Sequence, residues 1–539
     1  MAQATTITPE PENEKEKIHW PYKAGFETFH SETTPVELKI QGKIPDYCSG
    51  VLYRTGPSGL KIPLPNGSTT HFTHWFDSLA QTHRFNLSPS RVTYNSLHTS
   101  STLLHRIQST GIISIDFSFA ESSDPCRNLF RKFSSLFFPS PIGPSDPASA
   151  NIGVTVHHNP PGFPPTAKDG STRSLYTATD AYIYQGLDPE TLEPISVARQ
   201  TALHPELKGP LSSAHSQTDQ TTGEVFNYNL TLGWRAVYKV FCTNNKGETR
   251  ILAEIKDAPA AYVHSFWLTE NFVVLCCFSA HYQAGGAGVL WWNNIIDALQ
   301  DVQADKKAVW YVIPRTGGSY KRYQGEAFFA FHTANAWEEN GGIVAEVAGF
   351  RGIGVLKKFY VNVLLDEKEA EKWVHKDRPR FGRWFLEGVE TQGEGRVERV
   401  WEQPEDISFE MPTFNPRFGG RKSRYTYGLL SSHAVVADGI IKFDTMEGKH
   451  LKWEVQGHSP SEAVFVVNPD GKEEDDGVLL SVVLDGHKGT SYLLVLDART
   501  MKEVARAEMN TVVPFGFHGS FVDQKSVEGE IYPVNTMDM

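Results

Sequence analysis

Cysteine is scarce and its count is odd: 539 residues carry only five, Cys48, Cys126, Cys242, Cys276 and Cys277. Widely spread, with one adjacent pair and no CxxC spacing, they argue against a disulfide framework and a thiolate metal site and suit a reducing, intracellular compartment. Positive charge is also in deficit, since 51 Lys and Arg against 63 Asp and Glu leave a net charge of −12. No basic face large enough to track a nucleic-acid backbone comes from that balance, so nucleic acid is not an expected partner. Long apolar runs are missing too, and nothing approaches the ~18 residues of a spanning helix. The opening MAQATTITPEPENEKEK has acidic residues where a signal peptide has its apolar core. A cytoplasmic protein is expected, either soluble or held at a membrane surface.

Helical periodicity is rare. The clearest helix expected is LLDEKEAEKWVHK, 364–376, acidic at its start and basic at its end as the helix dipole favours. The abundant material is that of short strands and tight turns: 44 Gly, 32 Pro, 12 Trp, 19 Tyr and 32 Phe. Strand signals recur from VELKIQGKI and YCSGVLYRTG through EVFNYNL, AVYKVFC and FVVLCCF to KAVWYVI. The segments LDPETLEP (187–194), IKFDTMEG (441–448) and VLDARTMKEV (495–504) share an Asp that opens a tight turn between apolar flanks. One hairpin type recurring at wide intervals points to the blades of a β-propeller, with unrelated hairpins in a large sandwich as the alternative. The turns are too irregular to count blades. Residues 1–19, polar and rich in Pro and Glu, predict a disordered arm, and 20–539 are expected to form a single all-β domain.

Four histidines stand in or beside strand-like stretches: His215 in PLSSAHSQTD, His264 in AYVHSFWL, His332 in FFAFHTAN and His518 in PFGFHGSF. A single histidine among phenylalanines is ordinarily a satisfied core residue. Separations of 49, 68 and 186 residues exclude a local ligand motif. A propeller, however, points the inner strands of its blades at one axis, where distant residues can converge. Four neutral imidazoles would suit a borderline divalent ion such as Fe(II), and incomplete coordination would leave positions for O2.

Taken in order, these four contexts make the chain resemble the carotenoid cleavage oxygenase family, from about Trp20 to Val522. The resemblance implies a seven-bladed β-propeller with a helical and loop cap that carries the substrate entrance. It implies one Fe(2+) per chain, held on the axis by His215, His264, His332 and His518. It also implies three acids that accept the second ring N–H of the histidines. These are Glu410 in SFEMPTFN, Glu462 in SPSEAVFV and Asp180 in YTATDAY, where the family usually has Glu. The shorter Asp180 is expected to act at longer range or through water. Thr179 is expected close to the open iron positions.

The implied reaction is scission by O2 of a conjugated C=C bond in a carotenoid or apocarotenoid, giving two carbonyl products without a dedicated acid or base. In the family's stilbene-cleaving branch a Lys precedes the first of the three acids. Thr179 holds that place here, which favours a lipophilic polyene over a stilbene. Isomerisation shares the same ligand set. A non-enzymatic propeller scaffold is the alternative from another class, and it leaves the histidines and carboxylates unexplained.

The stretch DPCRNLFRKFSSLFFP, 124–139, sets Leu129, Phe130, Phe133, Leu136 and Phe137 on one helical face with Arg127, Arg131 and Lys132 along its flanks. That composition suits an interfacial membrane anchor, with an ordinary core helix as the alternative. The stretch also resembles the membrane-binding segment at the substrate entrance of animal family members, and 288–299 would extend the patch. Cys126 beside it is read as a buried thiol or an acylation site. The run KEEDDG, 472–477, is expected to be a solvated hairpin turn.

Overall fold

The computed structural model describes residues 20–527 except 114–118, 120–145, 234, 287, 289–293, 392–394 and 405–406. The expected arm 1–19, the patch Leu129, Phe130, Phe133, Leu136 and Phe137, and Cys126 therefore lie outside the described residues, as does most of 288–293.

Strand follows strand in antiparallel meanders of four, and each meander is one blade. The first blade pairs His518–Asp523 with Gly50–Pro57, then Ala80–Ser88 and Arg91–His98. The second runs Thr155–His158, Leu175–Ala178, Ile183–Leu187 and Pro194–Arg199. In the third, two short pieces, Leu211–Ser212 and Gln217–Thr218, edge Val225–Thr231, Val237–Thr243 and Thr249–Ile255. Trp267–Leu268, Phe272–Cys277, Ala308–Pro314 and Lys321–Gly325 make the fourth, and Phe329–Glu339, Gly342–Phe350, Arg380–Leu386 and Gly395–Glu402 the fifth. The sixth is Glu410–Thr413, Tyr425–Leu430, Gly439–Asp444 and Lys449–Trp453. The seventh begins with His458–Pro460 and Val464–Val467 and continues through Gly477–Asp485, Thr490–Asp497 and Glu503–Glu508. The expected all-β, seven-bladed architecture is thus the one found.

The ring is closed twice. The C-terminal His518–Asp523 is the first strand of a blade whose other strands are N-terminal, with Thr55 paired to His518. Val36–Gly42 then bridges the outer strands of the first and seventh blades, pairing with both Arg91–His98 and Glu503–Glu508. Gly56 lies so close to the incoming C-terminal segment that a Cβ there would stand 2.5 Å from the Gly516 Cα. A side chain at that position would force the segment carrying His518 away from its neighbour.

The recurrent Asp turn has a definite form. Asp188, Asp444 and Asp497 each accept a backbone N–H from within the turn, and the fifth residue, Leu192, Gly448 or Met501, adopts positive φ. Asp219 and Asp485 build the same turn, ending at Gly223 and Gly489. Glycine suits that left-handed position. Leu192 and Met501 take it with buried side chains, so their packing offsets the backbone cost.

Two expectations are corrected. The helix expected over 364–376 is instead two short ones, Val361–Leu365 and Glu367–Glu371, with no helix from 372 to 376. Asp366 interrupts it: its backbone is extended and its carboxylate accepts from the N–H groups of Lys368 and Glu369, so it caps a new helix. The 472–477 run does form a hairpin turn, but it is not wholly solvated. Asp475 is 7% exposed and ion-paired to the buried Lys442 at 2.6 Å, and Glu474 accepts from the Arg424 and Tyr425 backbone. The four described cysteines are free and buried. Among the described residues no helix is long and apolar enough to cross a membrane.

Candidate metal centre

The first strands of the blades bring the four histidines to one point. His215 sits between the two edge pieces of the third blade and His264 just before the fourth. His332 lies within the first strand of the fifth, and His518 opens that of the first. One nitrogen from each lies within 4.8 Å of the others. His215 Nε2 is 3.1 Å from His264 Nε2, and His332 Nε2 is 3.2 Å from His518 Nε2.

Three carboxylates stand behind them. Asp180 Oδ2 is 2.7 Å from His264 Nδ1, Glu410 Oε2 is 2.6 Å from His332 Nδ1, and Glu462 Oε1 is 2.8 Å from His518 Nδ1. With Nδ1–H donated outward, each of these rings presents its Nε2 lone pair inward. Asp180 reaches its histidine directly, so the expected longer range or water bridge is corrected. The Asp180 side chain is drawn in by other donors: Tyr262 Oη donates to Oδ2 at 2.6 Å and the Ala214 N–H to Oδ1 at 3.0 Å.

The donor set fits a divalent cation. Two imidazole nitrogens at about 2.1 Å from one ion and at a right angle stand about 3 Å apart, close to the separations found. Inward lone pairs at that spacing repel unless a cation lies between them. Burial and the neighbouring imidazoles hold His215 well below the usual histidine pKa, so it is a neutral donor. Burial alone would raise Glu462, but His518, Arg54 and the Gly519 N–H outweigh it and keep the carboxyl below its usual range. Burial, then the Asp180 charge, push Tyr262 well above the usual phenol range, so its hydroxyl remains a donor.

Several supporting residues carry no signal in the sequence. Ser213 Oγ accepts from the His215 N–H at 3.1 Å and donates to the His264 carbonyl at 2.6 Å. Ser265 Oγ donates to the Phe331 carbonyl and accepts from the Thr333 N–H, which ties the fourth blade to the fifth around His332. Arg54 donates to the carbonyls of Glu462 and Phe517. Met411, next to Glu410, has φ of 49° and donates its N–H to Glu410 Oε2. A non-glycine residue held there is the kind of local strain that clusters at functional sites.

A cavity opens beside the histidines. Thr179, Tyr262, His264, His332 and His518 line it together with Phe76, Phe119, Phe331, Phe359 and Phe517. Phe76 is at its hub, its ring centroid 5.0 Å from Phe517, 4.9 Å from Phe359 and 4.9 Å from Phe119. Of the aromatics around His518, Phe515 and Phe517 line this cavity, whereas Phe521 packs against the core of the first and seventh blades. The result is an aromatic chamber with a cluster of nitrogen donors in its wall, suited to placing an extended apolar molecule beside a metal ion.

Comparison with known proteins agrees with this geometry. The chain matches the family model described as retinal pigment epithelial membrane protein over residues 26–523. It is 34% identical to a carotenoid dioxygenase of Neurospora crassa, with 93% of this chain and 91% of that protein covered. A torulene dioxygenase of Fusarium fujikuroi is 33% identical, with 93% of each covered. Among solved structures, a Glu150Gln mutant of the Synechocystis apocarotenoid oxygenase aligns with a TM-score of 0.75 at 20% identity, covering 94% of this chain and all of that one. With its family model matched across almost the whole propeller and relatives above 30% identity over most of their length, the chain belongs to the carotenoid oxygenase family, that of the retinal pigment epithelial membrane protein.

Proposed function

We propose that this protein is a ferrous iron-dependent dioxygenase that cleaves a conjugated C=C bond of a carotenoid or apocarotenoid into two carbonyl products. The observation that carries it is the convergence of four imidazoles beside an aromatic cavity: His264, His332 and His518, each backed by a carboxylate, stand in its wall, and His215 completes the cluster. His215, His264, His332 and His518 would hold the ion, and Asp180, Glu410 and Glu462 would fix ring orientation and tautomer. Iron bound there would supply activation of O2. The rest falls to the chain: the phenylalanines bind and orient the polyene and exclude water, and the neutral donors leave the ion its full positive charge. Thr179, in the cavity wall, would border the coordination positions left open. No side chain is assigned a proton-transfer role.

Delivery from a membrane surface completes the proposal, because a lipophilic polyene is dissolved in lipid. It rests on the sequence of 124–139, with its phenylalanines flanked by cations, in a protein taken to be cytoplasmic. Incubating the iron-loaded protein with a panel of carotenoids, apocarotenoids and stilbenes, and identifying the aldehydes by mass, tests the reading. Two aldehydes whose carbons sum to a polyene are expected. Cleavage of stilbenes alone would overturn the substrate class.

A further inference from the structure

One wall of the cavity is out of character with the rest. Apart from Asp180 and Glu410 at the metal centre, the charged residues lining it are Lys358 and Asp377. Lys358 ends the short helix Val355–Lys358 and is 4% exposed. Among the described residues its ammonium has no hydrogen bond and no ion pair within 4.0 Å, although Asp377, Asp438, Arg378 and His375 are near enough to act on it or be acted on electrostatically. Asp438 Oδ2 accepts from the N–H groups of Ser432, His433 and Ala434, while its buried Oδ1 has no hydrogen-bond partner among the described residues and no ion pair to Lys358 within 4.0 Å. Arg378 is turned to the carbonyls of Val374 and Ser432.

A buried cation without a partner is costly, and an apolar wall would do better with leucine or methionine. Burial, then Arg378, pull the amine down to about 8, with Asp377 and Asp438 opposing, so it remains mostly protonated at neutral pH. A run of aromatic rings joins it to the metal centre: adjacent Phe359 stacks on Phe76, which packs on Phe331 and Phe517 beside His332 and His518. A polyene lying past these rings would bring one end to Lys358. A hydrocarbon end would cover the ammonium and leave it unpaired, whereas an oxygen acceptor would satisfy it. Asp377 in the same wall disfavours a second carboxylate there, which leaves a neutral oxygen as the best fit.

We propose that Lys358 donates a hydrogen bond to the terminal carbonyl oxygen of the substrate, so that this enzyme selects an apocarotenoid aldehyde or ketone over a hydrocarbon carotenoid. The assignment rests on the reading of the cavity as a polyene site. It also places the reaction after an earlier oxidative step that puts oxygen on the polyene end.

The test is an anaerobic titration of the full-length, iron-loaded protein with an apocarotenal and with a hydrocarbon carotenoid of similar conjugated length. Quenching of tryptophan emission reports binding, since Trp75 lines the cavity; air is then admitted and the products are counted. Lys358→Met should weaken aldehyde binding about 10- to 100-fold and leave the hydrocarbon unchanged or tighter. Lys358→Gln, which keeps a neutral donor, should fall between the two and decides the matter if the Met variant does not fold. Aldehyde selectivity equal to wild type in the Met variant, or in the Gln variant where only that one folds, would overturn the assignment. So would equal weakening of both ligands. An aldehyde preference lost in the variants, with no cleavage in air, would leave Lys358 standing and remove the cleavage reading. Cleavage of both polyenes without preference would do the reverse.

Discussion

Tyr262 and His264 converge on a single oxygen: the phenol donates to Asp180 Oδ2 at 2.6 Å and the imidazole Nδ1–H meets the same atom at 2.7 Å. Two donors on one carboxylate oxygen hold the short side chain where a longer one is usual in the family. Asp180→Asn should therefore lower iron affinity about 10- to 100-fold, and Tyr262→Phe by less, because the imidazole retains its acceptor. Competition with a ferrous chelator measures both. Equal iron affinity in wild type and Asp180→Asn would show that the carboxylate does not tune the histidine.

The buried pair Lys442 and Asp475 predicts a stability effect remote from the metal. Lys442 Nζ donates to Asp475 and to the Arg499 carbonyl, and sits 4.1 Å from the Tyr425 ring centroid. Lys442→Met strands most of the Asp475 charge, with only the half-exposed Arg499 left to meet it. A loss of about 3 kcal/mol is expected, and Lys442→Met combined with Asp475→Leu should recover most of it. Urea unfolding midpoints separate the cases, and an unaltered midpoint in the single variant would contradict the burial argument.

Glu346 predicts a pH dependence of stability. It is fully buried, and burial, against the opposing Arg383, raises its carboxyl from 4.5 to about 7. Oε1 accepts from Arg383, and Oε2 has no partner among the described residues. Between pH 4.5 and 7 the folded chain holds a proton here that the unfolded chain has released. Its contribution to stability is therefore full below 4.5 and declines as pH rises to 7, by at most about 1.4 kcal/mol per pH unit. Glu346→Gln should remove that slope; an identical pH profile in wild type and variant would show that Glu346 is ionised when folded.

Phe133→Ser with Phe137→Ser should release the protein from liposomes of anionic lipid while leaving turnover of a detergent-dispersed polyene within about twofold. Co-flotation measures the first and product formation the second. Undiminished flotation would remove 124–139 from the membrane-facing role.

Much of this molecule is legible in its residues. Asp in a fixed place relative to a left-handed position marks a hairpin, and three such turns were enough to suggest blades; the other two, at Asp219 and Asp485, follow the same rule. Histidines in apolar stretches stand out because a neutral, half-polar ring needs a partner where none is local. What escapes is whatever depends on a partner far along the chain. Ser213, Ser265 and Tyr262 are ordinary residues of the segments flanking the inner strands until the strand starts meet. Asp475 sits in an acidic run that composition assigns to solvent, and its burial is accounted for by cations distant in the chain, Lys442, 33 residues away, and Arg499. Helical periodicity over 364–376 gives way because Asp366 caps more favourably than it propagates.

The central claim is that four histidines on separate blades hold one iron ion. Anaerobic loading with a ferrous salt, desalting and metal analysis test it most directly. About one iron per wild-type chain is expected, and below about a tenth for His264→Ala and His518→Ala, with no cleavage by either variant. Stoichiometric iron and full activity in either alanine variant, or wild type retaining far less than one iron, would contradict it.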